Sequence, residues 1–220
     1  MTFSVSREVL DLGLKIVAIT IDDIDIKTQT KKFLNFQKTA YTALKKKYKN
    51  FDIETDLILR GFNNIHKKIG VKRRKHTPIN ELLLKMFLKS EKLPSENKLI
   101  NLYNIVILDS RLPIFIYDKD KITGNLTLTI SKKSEAYISK NSETKITGPN
   151  EYICKDKKNI VQRLEIDQNP NTKVDDNTKN ILIIIEGNEN TSAEYLIEVA
   201  SEIIDLINTY CGGKAQIIYN

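Results

Sequence analysis

The sequence predicts a mixed α/β (α+β) domain, in which a helical N-terminal half precedes a central mixed sheet that is flanked by helices. Through most of residues 28–108, apolar residues recur at three- and four-residue spacing, which is the period of an amphipathic helix. After residue 110 they come in short runs rich in β-branched side chains, which are typical of strands. The 220 residues are predicted to form one domain, 1–220, since domains commonly hold about 100–200 residues.

The first half opens with a strand and continues with helices. The β-branched run at 15–21 ends at two aspartates and predicts a buried strand. Gly70 predicts the end of the second helix. Thr77 and Pro78 predict an N-cap and a first helical position for the third helix. The predicted elements are a strand at 15–21 and helices at about 28–48, 53–69, 78–88 and 97–108.

The second half is built mainly of strands. Ile181–Ile185 is the most hydrophobic run in the chain, and its length and branching predict a central strand buried on both faces. Residues 131–150 are polar and predict an exposed hairpin or loop, whereas 165–180 predict an ordered or mobile loop. The remaining predictions are strands at 114–117, 125–130, 152–154, 160–161 and 216–219, and a helix at about 194–210.

Composition excludes several classes of protein. Eight Gly and five Pro are too few for collagen-like or Pro/Gly-rich disordered chains. No apolar run approaches the roughly 18 residues of a membrane span, and the N-terminus has no signal-peptide pattern. Cys154 and Cys211 are too few for a disulfide framework, so we predict that both are packing residues. These features favour a reducing cytoplasm and no membrane partner.

Positive charge is concentrated in the first half. Residues 1–110 hold 21 Lys and Arg against 12 Asp and Glu, whereas residues 111–220 hold 14 against 16. This asymmetry predicts an anionic partner on one side, although surface lysines that only maintain solubility are an alternative. The densest cluster follows the second predicted helix, where cations also complement the helix dipole. Its members, which are predicted to contact an RNA backbone, are Lys67, Lys68, Lys72, Arg73, Arg74 and Lys75.

Familiar catalytic signatures are missing from the sequence. There is no glycine-rich phosphate loop, no GxSxG and no HExxH. The only histidines, His66 and His76, border the basic cluster, and we interpret both as surface side chains. A histidine-based triad, a metal site and a bound cofactor are therefore not predicted.

One carboxylate stands out at the end of the predicted central strand. Glu186 directly follows the apolar run and precedes Gly187. A buried charge at such a position needs a partner, and strand ends of this kind often form ligand sites. The alternative is that Glu186 emerges into solvent where the strand finishes.

Four stretches in order carry a resemblance to a known family. They are 69–83 (IGVKRRKHTPINELL), Leu93-Pro94 with 99–104 (LINLYN), Leu112-Pro113 with 117–122 (YDKDKI), and Thr172-Lys173 with 178–187 (TKNILIIIEG). Together they resemble the B3/B4 domain, the editing domain of the bacterial phenylalanyl-tRNA synthetase β subunit, which also occurs as free-standing proteins. The resemblance covers about 60–219 and implies an α/β domain with a pocket for the aminoacyl end of a mischarged tRNA.

The resemblance also implies roles for individual residues. Glu186 matches the family glutamate that recognises the mischarged amino acid, and Asn104 matches a family asparagine; both are expected to act in catalysis. Phe115 stands where the family has a pocket histidine, which removes one candidate for positioning the attacking water. The expected substrate-binding residues are Tyr103, which replaces a threonine, Phe115, Tyr117, Thr178 and Gly187.

The implied reaction is hydrolysis of the aminoacyl ester of tRNA by a positioned water molecule, without a cofactor and with the adjacent ribose hydroxyl as proton shuttle. Positioning and oxyanion stabilisation supply the required rate for such an activated ester. The expected partner is tRNA rather than DNA. A non-catalytic tRNA- or amino-acid-binding module and an unrelated use of the same scaffold remain alternatives.

Overall fold

The computed structural model describes residues 1–72, 76–93 and 97–220. Its helices and strands alternate in the order that the sequence periods predict, and the mixed α+β class is confirmed. The elements are β1 (Phe3–Val5), α1 (Arg7–Asp11), β2 (Lys15–Asp22), α2 (Lys31–Lys47), α3 (Leu57–Lys68), α4 (Ile79–Ser90), α5 (Lys98–Ser110), β3 (Ile114–Asp118), β4 (Leu126–Ile130), β5 (Ala136–Ile138), β6 (Thr144–Ile146), β7 (Tyr152–Lys155), β8 (Ile160–Arg163), β9 (Asp167–Gln168), β10 (Ile181–Gly187), α6 (Ala193–Cys211) and β11 (Lys214–Tyr219).

The strands divide between two main sheets rather than one. The first sheet has the order β1-β4-β7-β8-β9, and only its β1–β4 pair is parallel. The second has the order β11-β2-β10-β3 and is antiparallel throughout. Strands β5 and β6 form a separate hairpin, which confirms the hairpin alternative for residues 131–150. Strand β10 lies inside the second sheet with all seven residues buried, as predicted.

The second sheet lies between two other layers, because successive side chains of β10 contact different elements on its two faces. Gly187 faces α6, since a Cβ atom there would come within 2.5 Å of Leu196 Cδ1. Glu186 points to the opposite face, where Tyr152 of β7 and Gln162 of β8 contact it. The second sheet is therefore covered by α6 on one face and by the first sheet on the other. Helix α5 packs against α6, α2 and α4.

Side-chain caps fix several helix boundaries. Thr30 and Asp56 accept the backbone N–H of the third residue after them, at 3.1 and 2.9 Å, so α2 and α3 begin after the starts predicted from apolar spacing. Pro78 was predicted at the first helical position of α4 but occupies the N-cap in an extended conformation. The helix starts one residue later, at Ile79, whose N–H donates to the Glu165 carbonyl at 2.9 Å.

Two short elements at the N-terminus, β1 and α1, were not predicted because each spans fewer than six residues and shows no periodic signal. The region predicted as a loop at 165–180 contains β9 and a short 3-10 helix, Pro170–Thr172; its first residues, 165–167, are buried, whereas most of 173–179 is exposed. Within the described residues, no helix combines the length and apolar character needed to cross a bilayer.

Candidate functional site

Glu186 ends β10 inside the protein rather than in solvent. Its side chain has no exposed surface, so the solvent-facing alternative is wrong. The amide Nε2 of Gln162 donates to Glu186 Oε1, and the Tyr152 hydroxyl lies 3.4 Å from Glu186 Oε2. Both partners come from the first sheet, and the contact between the two sheets therefore encloses this carboxyl group.

A second carboxylate, Glu165, lies beside the first. The Tyr152 hydroxyl donates to Glu165 Oε2, and the Glu165 backbone N–H donates back to that hydroxyl at 3.2 Å. Nε2 of His66, on α3, lies 2.5 Å from Glu165 Oε1 as an ion-pair contact that lacks regular hydrogen-bond geometry. His66, Glu165, Tyr152 and Glu186 thus form one continuous buried cluster, which we call the carboxyl cluster.

The prediction that His66 is a surface side chain is wrong, because only 1% of it is exposed. His66 follows Phe62 by four residues and Ile65 by one, so it lies on the apolar face of α3. That spacing was visible in the sequence and is the signal that could have identified it. His76 is half-buried.

The groups at the two ends of the carboxyl cluster, Glu186 and His66, both have a raised pKa. Burial, and then the negative charge of Glu165, raise the pKa of Glu186 to about 8, against the lowering effect of hydrogen bonds from Gln162 and Tyr152. Burial is the largest single influence on His66 and lowers its pKa, but the charge of Glu165 and its contact with the imidazole together oppose burial, and the pKa is raised. At neutral pH, Glu186 is therefore mostly a neutral acid, whereas the contact with Glu165 favours the protonated form of His66.

A buried ion pair borders the carboxyl cluster. Arg163, the last residue of β8, binds Glu151 through two hydrogen bonds of 2.6 and 2.5 Å, and its Nη1 lies 3.6 Å from Asp167 Oδ2. The Arg163 and Glu151 side chains are only 5% and 6% exposed. Asp167 also accepts a hydrogen bond of 3.3 Å from Tyr137. These contacts fix the chain on either side of Glu165.

Several predicted site residues share the face of β10 that carries Glu186. In register, Phe115 lies opposite Ile184 and Tyr117 opposite Leu182, two and four residues before Glu186, so all point to the first sheet. The Tyr117 hydroxyl donates to Gln162, which in turn binds Glu186. Tyr117 is therefore connected to the carboxyl cluster through one side chain.

Other predicted site residues lie elsewhere. Thr178 precedes β10 and hydrogen-bonds Asp118 at 2.7 Å, at the far end of a strand that spans roughly 20 Å. Gly187 faces α6 rather than the carboxyl cluster. Tyr103 and Asn104 are on α5, where Asn104 is 7% exposed; among the described residues, no hydrogen bond joins Asn104 to Glu186.

The predicted RNA-binding cluster is only partly described. Lys67, Lys68 and Lys72 are exposed at and after the end of α3, and Lys68 lies 3.5 Å from Glu189. Arg73, Arg74 and Lys75 lie outside the described residues. Across 1–72, 76–93 and 97–220, no three His, Cys, Asp or Glu side chains are grouped to hold a metal ion. Cys154 and Cys211 are buried and unpaired with each other, as predicted.

Comparison with known proteins identifies the family. The family model of the B3/4 domain matches residues 63–212. This range is about two thirds of the chain and includes every residue of the carboxyl cluster. The chain belongs to the B3/4 domain family. It is similar to a phenylalanine–tRNA ligase beta subunit of Fusobacterium nucleatum subsp. nucleatum, with 25% identity over 87 residues, which are 40% of this chain and 11% of that protein.

The fold of this B3/4 domain also has a solved counterpart. An N-terminal fragment of the phenylalanyl-tRNA synthetase β subunit from Pyrococcus horikoshii superposes with a TM-score of 0.53 and 13% identity, over 97% of this chain and 50% of that one. The chain thus corresponds to a part of each of these longer relatives, and the likeness to the solved structure concerns the fold alone.

Proposed function

We propose that this B3/4 domain is a trans-acting editing protein that binds the aminoacylated 3′ end of tRNA and hydrolyses the ester of a mischarged amino acid. The observation that carries the proposal is the position of Glu186. This acid, which the resemblance assigns to substrate recognition, ends the central strand on the same face as Phe115 and Tyr117. The similarity to phenylalanine–tRNA ligase beta subunits supports tRNA as the partner.

The reaction needs little from the protein beyond positioning. In the proposed mechanism, water attacks the ester carbonyl, the ribose oxygen leaves, and the neighbouring ribose hydroxyl relays the proton. Glu186 orients the substrate. As a neutral acid, Glu186 both donates and accepts hydrogen bonds, which suits an uncharged polar substrate group better than a carboxylate would.

Substrate entry requires the carboxyl cluster to open. Because Glu186 has no exposed surface, an aminoacyl group reaches it only after Gln162 or Tyr152 has moved away. The binding free energy of the tRNA has to offset the loss of those hydrogen bonds, at about 1 kcal/mol each.

A second candidate is a non-catalytic module that binds tRNA or an amino acid. Two features favour it: the closed hydrogen-bond network around Glu186 and Phe115 at the position of the pocket histidine in the resembled family. An apolar ring there cannot position water.

A deacylation assay distinguishes the two candidates. The protein is incubated with a panel of tRNAs that each carry a non-cognate amino acid, and release of the amino acid is compared with buffer alone. Editing predicts accelerated release from at least one tRNA and a loss of that rate in Glu186→Ala, with the exposed Glu198→Ala as matched control. Release at the background rate from every tRNA contradicts editing, and tRNA affinity without turnover identifies the binding module.

The role of the basic cluster is tested by the salt dependence of binding. Neutralising Lys72, Arg73, Arg74 and Lys75 together is expected to flatten the slope of log affinity against log salt, since each phosphate contact contributes roughly −0.7 to −0.9. An unchanged slope removes the basic cluster from the RNA interface.

A further inference from the structure

A groove on the surface of the first sheet carries unpaired positive charge. Two adjoining concavities of about 400 and 620 Å³ lie between β4, the β5–β6 hairpin and the β7–β8 turn, and they share Lys155 and Lys157 as lining residues. We call them together the lysine groove. Its basic lining residues are Lys132, Lys133, Lys155, Lys157 and Lys158.

The two carboxylates that line the lysine groove, Asp156 and Glu135, already have partners within the protein. Asp156 accepts backbone N–H groups of Thr123, Lys158 and Asn159 at 2.7–2.8 Å and so holds the β7–β8 turn. Glu135 lies 3.6 Å from the ammonium of Lys155. The other four lysines are exposed, and none forms an ion pair within 4 Å with a residue that the structure describes, although Lys132 interacts at longer range with Glu8. The lysine groove therefore has net positive charge available to a ligand.

The lining chemistry selects a polyanion that offers phosphates rather than a protein. Lysine is depleted in protein–protein interfaces, whose binding energy comes from aromatic and Arg anchors. Among the described residues that line the lysine groove there is no Arg, and the one aromatic residue, Tyr137, is only 6% exposed. Without an exposed ring, bases have no stacking surface. Lysine ammonium groups act as point charges for phosphates, which predicts backbone contact without base reading.

The lysine groove and the carboxyl cluster lie on opposite faces of the first sheet and share strand β7. Tyr152 begins β7 and contacts Glu186, whereas Lys155 ends the same strand and lines the groove. They are three positions apart, roughly 10 Å along the strand, and therefore point to opposite faces of the sheet. An RNA bound in the lysine groove contacts the outer face of the first sheet, whereas Glu186 is enclosed on its inner face.

We propose that the lysine groove binds the phosphodiester backbone of RNA and is a second contact surface for the tRNA, formed by residues other than 67–75. This inference rests on the proposed tRNA-directed function, but it concerns binding and not hydrolysis. Uncharged (deacylated) tRNA, which carries no aminoacyl ester, is therefore the appropriate probe. The result does not depend on whether the protein deacylates any substrate.

The test compares two variants of the full chain that have the same change in charge. The groove variant combines Lys132→Gln, Lys133→Gln, Lys157→Gln and Lys158→Gln. The control variant replaces four other exposed lysines that also lack an ion pair with described residues: Lys31→Gln, Lys38→Gln, Lys49→Gln and Lys89→Gln. Affinity for uncharged tRNA is measured from 50 to 200 mM salt, values at which phosphate contacts strongly affect binding. Circular dichroism checks that both variants fold.

In the groove variant, the slope of log affinity against log salt is expected to become less negative by about 3, because four phosphate contacts contribute roughly −0.7 to −0.9 each. The control variant is expected to change the slope by less than about 1. The proposal is overturned if the slope changes equally in both variants, or if it is unchanged in the groove variant. So does groove-dependent binding of poly-glutamate or anionic phospholipid vesicles without binding of tRNA. If the slope becomes less negative as expected while deacylation is absent, the inference stands and only the editing proposal fails.

Discussion

Replacing Glu186 with glutamine removes a titrating proton from the protein core while keeping the size and polarity of the side chain. Glutamine resembles the neutral acid, since its oxygen accepts from Gln162 as the Glu186 oxygen does and its amide N–H, like the proton of a carboxylic acid, lies beside the Tyr152 oxygen. The variant therefore isolates the effect of ionisation from the effect of packing. Stability measured against pH reports on the protonation state of the carboxyl cluster.

The magnitude follows from the shift in pKa. The Glu186 pKa rises from 4.5 to about 8 on folding, so between these values the native state binds more protons than the unfolded chain. Its contribution is fully present below pH 4.5 and is lost as pH rises toward 8. At 1.36 kcal/mol per unit, the loss at pH 7 is about 3 kcal/mol.

The assay is urea unfolding of the wild type and Glu186→Gln at several pH values from 4.5 to 8. Near pH 4.5 the two proteins are expected to have similar free energies of unfolding, whereas at pH 7 the variant is more stable by about 3 kcal/mol. Exposed Glu198→Gln serves as control and is expected to show no such pH-dependent gain. A variant less stable than wild type at pH 7, or a difference that does not change with pH, would refute the reasoning.

Three further outcomes follow from the described contacts. Arg163→Met leaves the buried Glu151 without its partner and is expected to lower the free energy of unfolding by about 3–5 kcal/mol in urea titrations; a loss below 1 kcal/mol contradicts the assigned burial. Gly187→Ala brings a methyl group within 2.5 Å of Leu196, and calorimetry should show a loss of about 1–3 kcal/mol, which an unchanged melting temperature would exclude. Burial raises the pKa of Cys211 to about 11, so its reaction with a thiol reagent should be slow at pH 8 and accelerate in urea; rapid labelling of the native protein would show that the thiol is accessible.

Element types could be predicted from the sequence because each follows from a local period. The run Ile181–Ile185 marks β10 as a buried strand, and the 3.6-residue spacing marks α6. Boundaries were less accurate, since caps such as Thr30 and Asp56 act through single hydrogen bonds that the apolar pattern does not show. The short β1 and α1 were missed for the related reason that β1 gains its stability from pairing with β4, more than 120 residues away in the chain.

The candidate site was predicted only in part. Glu186 was identified because a charge directly after an apolar run is unusual wherever the strand is buried. His66 and Glu165 were not, although the two side chains are in contact. Glu165 belongs to a stretch that predicts an ordered or mobile loop, and the basic residues around His66 favour a surface position. Phe115 and Tyr117 share the Glu186 face only through the register of β3 with β10.

The order of the residues by itself determined the helices and strands, the burial of β10 and the family, because periodicity and motif order are properties of neighbouring positions. Only the tertiary structure decided that Glu186 is enclosed between two sheets and that Tyr152 connects it to Glu165 and His66. Those partners come from distant segments, and the energy of a buried charge depends on which groups replace the water around it. That replacement is fixed by packing, so the chemistry of the carboxyl cluster appears only when the two sheets and α3 come together.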